Sequence, residues 1–138
     1  MSLRYLLDTN VLSEPLRPRP SSRVLARLAA HAAEIATCAP VWHELRHGAA
    51  RLPRSAKRTA IEAYLDAVLG PRLPVLPYDA AAAAWHAQER ARLAATGRTP
   101  AFVDGQVAAV ACVNELVLVT ANAAHFRPFR ALRVESWV

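Results

Sequence analysis

Residues 116–120, Leu-Val-Leu-Val-Thr, form a continuous apolar run that becomes polar only at its last position, Thr120. A strand with this sequence is buried on both faces, which is typical of the inner strands of a parallel sheet. Parallel neighbours must be joined by long crossover connections, and these are usually helices. The run therefore predicts a fold in which short strands alternate with helices.

Four other segments favour strands, namely residues 5–7, 35–38, 73–76 and 132–138. Pro74 places the third of these at a sheet edge or a strand start, because proline cannot donate a hydrogen bond to a neighbouring strand. The apolar and polar residues of the last segment alternate, which is typical of an edge strand. Together the segments predict a parallel α/β sheet.

Helix signals lie between the predicted strands. Ser21 or Ser22, Ser55 and Asp79 can each cap the start of a helix, and Pro40 suits the first turn of another. Predicted helices cover approximately residues 22–30, 40–49, 55–69 and 79–96, and a very apolar helix begins near Asp104 and continues to Val113. No repeat or linker interrupts this pattern, so residues 1–138 are predicted to form a single domain.

Composition excludes several classes of protein. Hydrophobic residues make up 54% of the chain and charged residues 20%, which is typical of a globular rather than a disordered protein. The apolar stretches are too short to span a membrane. Only three apolar residues separate Arg4 from Asp8, so we expect no signal peptide and a cytoplasmic location.

The chain is basic, with a formal net charge of +6, and Lys57 is its only lysine. Arginine binds phosphate well because its planar guanidinium can contact two oxygens at once. A basic surface suggests an anionic partner, with nucleic acid as the first candidate. The alternative is an ordinary solvated surface, since the arginines are scattered along the sequence.

Polar side chains occur where the apolar strands end. Asp8 directly follows the first predicted strand, and Asn122 follows residues 116–120. Glu44 lies one turn into a predicted helix, and Asp104 lies near the start of a very apolar one. Because ligands bind at the carboxyl ends of strands in open α/β sheets, we expect these four residues to gather at one end of the sheet.

Each acid also has a purely structural interpretation. Asp8 can form a turn with its own backbone, Glu44 can pair with Arg51 on the surface, and Asp104 can stabilise the helix dipole. Three carboxylates and an amide without a paired lysine, however, have the chemistry of a site for a hard divalent cation.

His43 and His47 are four residues apart, a spacing that is compatible with metal binding on one face of a helix. The surrounding sequence contains no HExxH pattern, and no third ligand is evident from it. We therefore interpret these two residues as surface histidines. Cys38 and Cys112 have no metal-ligand spacing either and are expected to be small buried side chains.

Four motifs give a more specific indication when they are taken in order: LLDTNVLSE, PVWHELRHGA, PAFVDGQVAAVA and LVTANAAHF. This series resembles the PIN-domain endoribonucleases, and within them the VapC-type toxins of bacterial toxin–antitoxin pairs. The resemblance extends from Tyr5 to Trp137. It implies a three-layer α/β/α fold with a mostly parallel, roughly five-stranded sheet.

The resemblance also implies a site. Asp8, Glu44 and Asp104 would be catalytic acids that bind Mg²⁺ or Mn²⁺, and the chemistry would be metal-assisted hydrolysis of an RNA phosphodiester. Supporting polar residues would shape this site. They are Thr9, Asn10, Thr120 and Asn122.

The chain departs from the family pattern at two positions. Asn122 stands where a fourth acid often occurs, and His125 stands before Phe126 where an aspartate is frequent. An asparagine adds no charge, so a second metal ion would be held more weakly. We therefore expect one tightly bound metal ion and at most one that enters with the substrate.

The expected partners are an RNA substrate, with tRNA or another structured RNA as candidates, a cognate antitoxin protein and a second copy of the chain in a homodimer. Arginines at the rim of the site would contact the RNA backbone. The candidates are Arg46, Arg51, Arg54 and Arg98. Two alternatives remain open: an aspartyl phosphotransferase with Asp8 as nucleophile, and a catalytically weak module that only binds RNA or a partner.

Overall fold

The computed structural model describes residues 2–138, in which five strands form one parallel sheet in the order β3-β2-β1-β4-β5. The strands are β1 (Tyr5–Leu7), β2 (Ile35–Cys38), β3 (Val75–Leu76), β4 (Val117–Val119) and β5 (Val134–Glu135). The predicted parallel α/β sheet is confirmed. The apolar run lies inside the sheet as β4, and β1 is the middle strand.

Helices occupy the connections, as the sequence predicts. They are α1 (Thr9–Leu12), α2 (Ser22–Ala30), α3 (Ala39–Ala50), α4 (Ala56–Ala63), α5 (Ala80–Ala95), α6 (Phe102–Val113) and α7 (Ala123–Phe126). A short 3₁₀ helix covers Glu14–Leu16. Successive side chains of β1 point to opposite faces, yet all three are buried, so both faces of the sheet are covered. The fold therefore has the predicted three layers.

Several elements differ from their predicted extents, and the strands predicted over residues 73–76 and 116–120 are shorter, at Val75–Leu76 and Val117–Val119. The helix predicted over residues 55–69 is α-helical only in α4 and continues as a π-helical segment at Tyr64–Leu69. The last strand was predicted over residues 132–138, but only Val134–Glu135 pairs with β4. Hydrophobic periodicity locates such elements without fixing where their hydrogen-bond pattern changes or ends.

The predicted helix caps are present in the structure. The side chains of Ser21, Ser55 and Asp79 accept hydrogen bonds from the backbone N–H groups three residues later. Gly97 adopts a φ of 77° just after α5 ends, a conformation that glycine tolerates better than other residues. None of the helices in residues 2–138 is long and apolar enough to cross a membrane.

The register of the inner strands fixes the position of the site. Leu7 of β1 is paired with Val119 of β4, so the residues that follow, Asp8 and Thr120, leave the sheet side by side. The backbone N–H of Asp8 donates to the carbonyl of Val119 at 3.0 Å. On the other side, the Thr37 hydroxyl donates to the carbonyl of Leu7 at 2.8 Å. The carboxyl end of β1 is therefore held on both sides.

Helix α6, which carries Asp104, packs tightly on α5 through a histidine and a glycine. His86 is buried, and its Nδ1 lies 2.9 Å from the hydroxyl of Tyr78. Its imidazole lies so close to Gly105 that a Cβ at that position would overlap Nε2. A residue without a side chain is therefore required next to Asp104 for the two helices to approach this closely.

We expect Gly105→Ala to lower the free energy of unfolding by roughly 1–3 kcal/mol, which is typical of overpacking in a core. In a His86→Ala background the same substitution should cost much less, because the overlapping ring has been removed. Chemical denaturation of the four proteins of this double-mutant cycle measures the coupling.

Gly48→Ala in α3 is the matched control, since no atom lies within 4 Å of its added Cβ. It should stabilise the protein by roughly 0.5–1 kcal/mol through helix propensity. An equal cost of Gly105→Ala with and without the His86 imidazole would show that the close contact does not limit helix packing.

Candidate active site

Asp8 is the best-fixed acid of the site. It caps the short helix α1, and its Oδ1 accepts a hydrogen bond from the backbone N–H of Thr9 at 2.8 Å. Its Oδ2 accepts from the hydroxyl of Thr120, also at 2.8 Å. Burial raises the pKa of the Asp8 carboxyl in spite of these hydrogen bonds, and the charge of Glu44 raises it further. The carboxylate is thus held in place while its negative charge is destabilised, which favours a nearby cation.

Thr120 connects the polar residues around Asp8. It is fully buried, and its hydroxyl accepts hydrogen bonds from the side-chain amide of Asn10 at 3.5 Å and from the backbone N–H of Asn122 at 3.0 Å. The carbonyl oxygen of Asn10 accepts from the backbone N–H of Ala121 at 3.0 Å. With one donor and two acceptor positions in use, this hydroxyl has a single orientation.

Glu44 approaches the site from α3. It is exposed, and its Oε2 accepts a hydrogen bond from the Thr9 hydroxyl at 2.7 Å. Within residues 2–138 Glu44 forms no ion pair. The alternative interpretation, a surface pair with Arg51, is therefore absent from the structure. Thr9 therefore links two acids: its backbone N–H binds Asp8 and its side chain binds Glu44.

Asp104 lies in the first turn of α6 and is half-buried. Its pKa is raised by burial first, then by the negative charges of Asp8 and Glu44. The three acids predicted to converge therefore lie within electrostatic range of one another. Their mutual repulsion disfavours three simultaneous negative charges unless a cation is present.

His125 is a site residue that the sequence analysis did not propose as one. It is exposed on α7, and its positive form would lower the pKa of both Asp8 and Asp104. The sequence contained a signal for it, because His125 follows shortly after the carboxyl end of β4, as Asn122 does. From the sequence, however, the residue stands out only as a departure from the family pattern.

Asn122 occupies the N-cap position of α7 but makes no capping hydrogen bond with its side chain. Its backbone N–H donates to Thr120, and its side chain is exposed. The structure thus places Asn122 beside the acidic site through the main chain. Whether its amide takes part in metal binding stays a prediction.

Two clefts flank the acids. One, of about 480 Å³, is lined by Asp104 together with Arg98 and His125. The other, of about 460 Å³, is lined by Thr9 and Glu44 together with Arg51. Each cleft therefore contains at least one of the proposed catalytic acids and one of the arginines predicted to contact RNA.

The other two arginines predicted to contact RNA lie outside these clefts. Arg46 forms an ion pair with Asp66 at 2.6 Å, and its guanidinium lies 5.9 Å from the centre of the Trp42 ring. Arg54 lines a separate, smaller cavity of about 150 Å³. An RNA that follows the two clefts would meet Arg51 and Arg98 first.

The donor set of the site fits a hard divalent cation. Asp8, Glu44 and Asp104 offer carboxylate oxygens, Asp8 is already oriented, and burial and repulsion disfavour the unpaired charges of Asp8 and Asp104. In the part of the chain that the structure describes, no three His, Cys, Asp or Glu side chains lie close enough to form a ready-made metal cluster. Cation binding would therefore draw the exposed Glu44 and half-buried Asp104 towards Asp8.

A model of the PIN domain matches residues 5–130, which is most of the chain and includes every acid described above. The chain belongs to the PIN domain family. The family resemblance inferred from the four motifs is thereby confirmed, as is the fold that it implied.

Named relatives of this PIN domain include bacterial toxins and nucleases. It is 37% identical over 124 residues to the toxin FitB of Neisseria gonorrhoeae, covering 88% of this chain and 89% of FitB. It is 32% identical over 136 residues to the tRNA(fMet)-specific endonuclease VapC of Shigella flexneri, covering 98% of each. Among solved structures, FitAB bound to an IR36 DNA fragment superposes with a TM-score of 0.88 at 32% identity, covering 97% of this chain and 96% of that one.

The raised pKa of Asp104 predicts a specific dependence of stability on pH. The folded protein binds a proton on the Asp104 carboxyl more tightly than the unfolded chain does. Protonation of Asp104 therefore stabilises the folded state at low pH, and this contribution is lost as the pH rises through the folded pKa. We expect Asp104→Asn to melt at a higher temperature than the parent at pH 7 in EDTA. This advantage should shrink towards about pH 4, near the ordinary aspartate pKa.

Thermal unfolding at a series of pH values measures this difference. Asp79→Asn serves as the control, because asparagine caps a helix about as well as aspartate and Asp79 lies at the start of α5. A lower melting temperature for Asp104→Asn at pH 7, or an advantage that does not change with pH, would contradict the raised pKa of Asp104, which burial and the neighbouring acids cause.

Proposed function

We propose that this PIN domain is a divalent-metal-dependent endoribonuclease and the toxin of a toxin–antitoxin pair. The observation that carries the proposal is the acidic site: Asp8 is fixed by Thr120 and Thr9, with Asp104 and Glu44 in electrostatic range. Relatives of nearly the same length are named as ribonucleases or toxins, which supports both parts of the proposal.

The residues of the site would divide the chemistry among them. Asp8 and Asp104 would bind the Mg²⁺ or Mn²⁺ ion directly, and Glu44 would bind it directly or through water or would orient the attacking water. When bound, such an ion polarises the scissile phosphate and lowers the pKa of a coordinated water. Thr120 orients the Asp8 carboxylate, and Thr9 holds Glu44 towards Asp8.

Substrate binding would use the arginines of the two clefts. Arg98 and His125 border one cleft and Arg51 borders the other, so both approaches to the acids carry groups that attract phosphate. We propose a structured RNA such as a tRNA as the substrate, in keeping with the tRNA-specific relative from Shigella flexneri.

A cognate antitoxin would be the protein partner. Related chains have been solved as FitAB and as VapBC bound to DNA, and one is described as a member of the VapBC family of toxin–antitoxin systems. A partner protein is thus a shared property of these neighbours. The homodimer that we expected from the family resemblance stays a prediction.

The two alternative functions have less support. An aspartyl phosphotransferase normally uses a catalytic lysine, and the only lysine, Lys57, lies exposed on α4 and lines neither cleft that flanks the acids. A phosphoenzyme trapped with a small phosphodonor would nevertheless revive this function. RNA binding without cleavage at any metal concentration would instead indicate a module that only binds.

Cleavage should require both the metal ion and the acids. We expect EDTA to abolish hydrolysis of an RNA substrate, and Mg²⁺ or Mn²⁺ to restore it, with Zn²⁺ a poor substitute at a site of oxygen ligands. Asp8→Asn should abolish cleavage while the circular dichroism spectrum is preserved. Asp79→Asn, the same change at a helix cap outside the site, should cleave as the parent does. Full activity of Asp8→Asn would place the reaction elsewhere on the protein.

Asn122 provides a test of how many charges the site needs. We expect Asn122→Asp to reach half-maximal cleavage at a lower Mg²⁺ concentration, because affinity for hard cations rises with the number of charged ligands. Four clustered acids could instead raise one pKa, in which case the gain appears only above neutral pH. Asn122→Ala should be milder than Asp8→Asn, since only an oxygen dipole is lost.

The measurement is a Mg²⁺ titration of cleavage for the parent, Asn122→Asp and Asn122→Ala at two pH values. Identical titrations for all three proteins would mean that Asn122 contributes only its backbone N–H to Thr120. The site would then have three protein ligands at most.

A further inference from the structure

The cleft beside Glu44 contains two histidines that the proposed reaction does not use. His43 and His47 lie one turn apart on α3, both are exposed, and both line this cleft. Their imidazole rings are stacked, with centroids 5.8 Å apart and planes inclined by only 8°. No hydrogen bond or ion pair within residues 2–138 engages either ring, so the ring nitrogens are available to a ligand.

The spacing of the two residues along α3 is compatible with metal chelation, because side chains four residues apart lie on one face of a helix. Zinc binds imidazole nitrogen at about 2.0–2.1 Å, and the ion lies in the plane of each ring. The two ring planes are parallel in the structure, so both side chains must rotate before a nitrogen of each points at one ion. Both side chains are exposed, so turning their nitrogens towards a common ion requires no repacking of the core.

We propose that His43 and His47 form a second metal site, specific for a borderline transition-metal dication such as Zn²⁺, Ni²⁺ or Cu²⁺. Imidazole nitrogen selects these ions over Mg²⁺, which prefers oxygen. The site is distinct in chemistry from the acidic site, which offers carboxylates. No third His, Cys, Asp or Glu lies within chelating distance in the described part of the chain, so water completes the coordination shell.

Neighbouring charges are compatible with a bound cation. The Glu44 carboxylate follows His43 in sequence and lines the same cleft. Arg46 is engaged by Asp66 at 2.6 Å. Arg51 lies one turn beyond His47 and opposes a cation, but it is exposed and therefore well screened by salt.

Isothermal titration with ZnCl₂ tests the site directly. The titration uses an Asp8→Asn/Asp104→Asn background at pH 8, where free imidazole is neutral, in the presence of millimolar MgCl₂. We expect one Zn²⁺ per chain. His43→Gln and His47→Gln should each weaken binding by roughly a hundredfold or more, because either change converts a chelate into a single contact. The double variant should bind Zn²⁺ more weakly still, because it also lacks the remaining single contact.

His125→Gln, which removes an exposed histidine near the acids, is the matched control and should bind Zn²⁺ as its background does. Loss of Zn²⁺ binding in this control would place the ion at the acidic site and overturn the proposal. The proposal would also be overturned if His43→Gln and His47→Gln each bound half as many Zn²⁺ ions as their background, because the two histidines would then bind metal independently. These readouts do not use RNA cleavage, so they are unaffected if the protein proves not to be a ribonuclease.

Thermal unfolding gives a second readout. A Zn²⁺ ion bound across one turn of α3 stabilises the folded protein in proportion to the logarithm of its concentration above Kd. The melting temperature should therefore rise with ZnCl₂ in the parent but not in His43→Gln/His47→Gln. An equal rise in both proteins would overturn the proposal.

Discussion

The site depends on one hydrogen bond, in which the buried hydroxyl of Thr120 donates to the Asp8 carboxylate. The bond joins the carboxyl ends of β1 and β4, which the parallel register has already brought to the same level. It partly offsets the cost of burying a charged group, since burial still raises the pKa of Asp8. The position of the acidic site is therefore set by the two inner strands, and the helices bring Glu44 and Asp104 to it.

A second constraint is that, within the described residues, the basic side chains form their ion pairs away from the acids of the site. The net charge is +6, yet within residues 2–138 every arginine that forms an ion pair does so with an acid outside the site, such as Asp66, Glu62 or Glu89. Within residues 2–138 no arginine or lysine forms an ion pair with Asp8, Glu44 or Asp104. The acids repel a phosphate at close range, whereas the basic surface around them attracts it from a distance. A bound cation would therefore be needed for a phosphate to reach the acids.

The sequence predicted what depends on local pattern. The apolar run of β4, the caps at Ser55 and Asp79 and the acid at the end of β1 each follow from neighbouring residues. The close contact between His86 and Gly105 depends on how two helices approach each other, and no periodicity encodes that distance. His125 was missed for the same reason: its relation to Asp8 and Asp104 arises only when the segment after β4 folds back beside β1 and α6.

The two departures from the family pattern act in the same direction on the charge of the site. Asn122 supplies a neutral amide and His125 an imidazole, at two positions where the family resemblance implies acids. The site therefore has three carboxylates at most, which repel one another less than four or five would. With fewer charged ligands, cation affinity falls, and phosphate oxygens of the substrate become a larger share of the coordination shell. On the proposed function, we therefore expect RNA and a metal ion to bind cooperatively, each completing the site for the other.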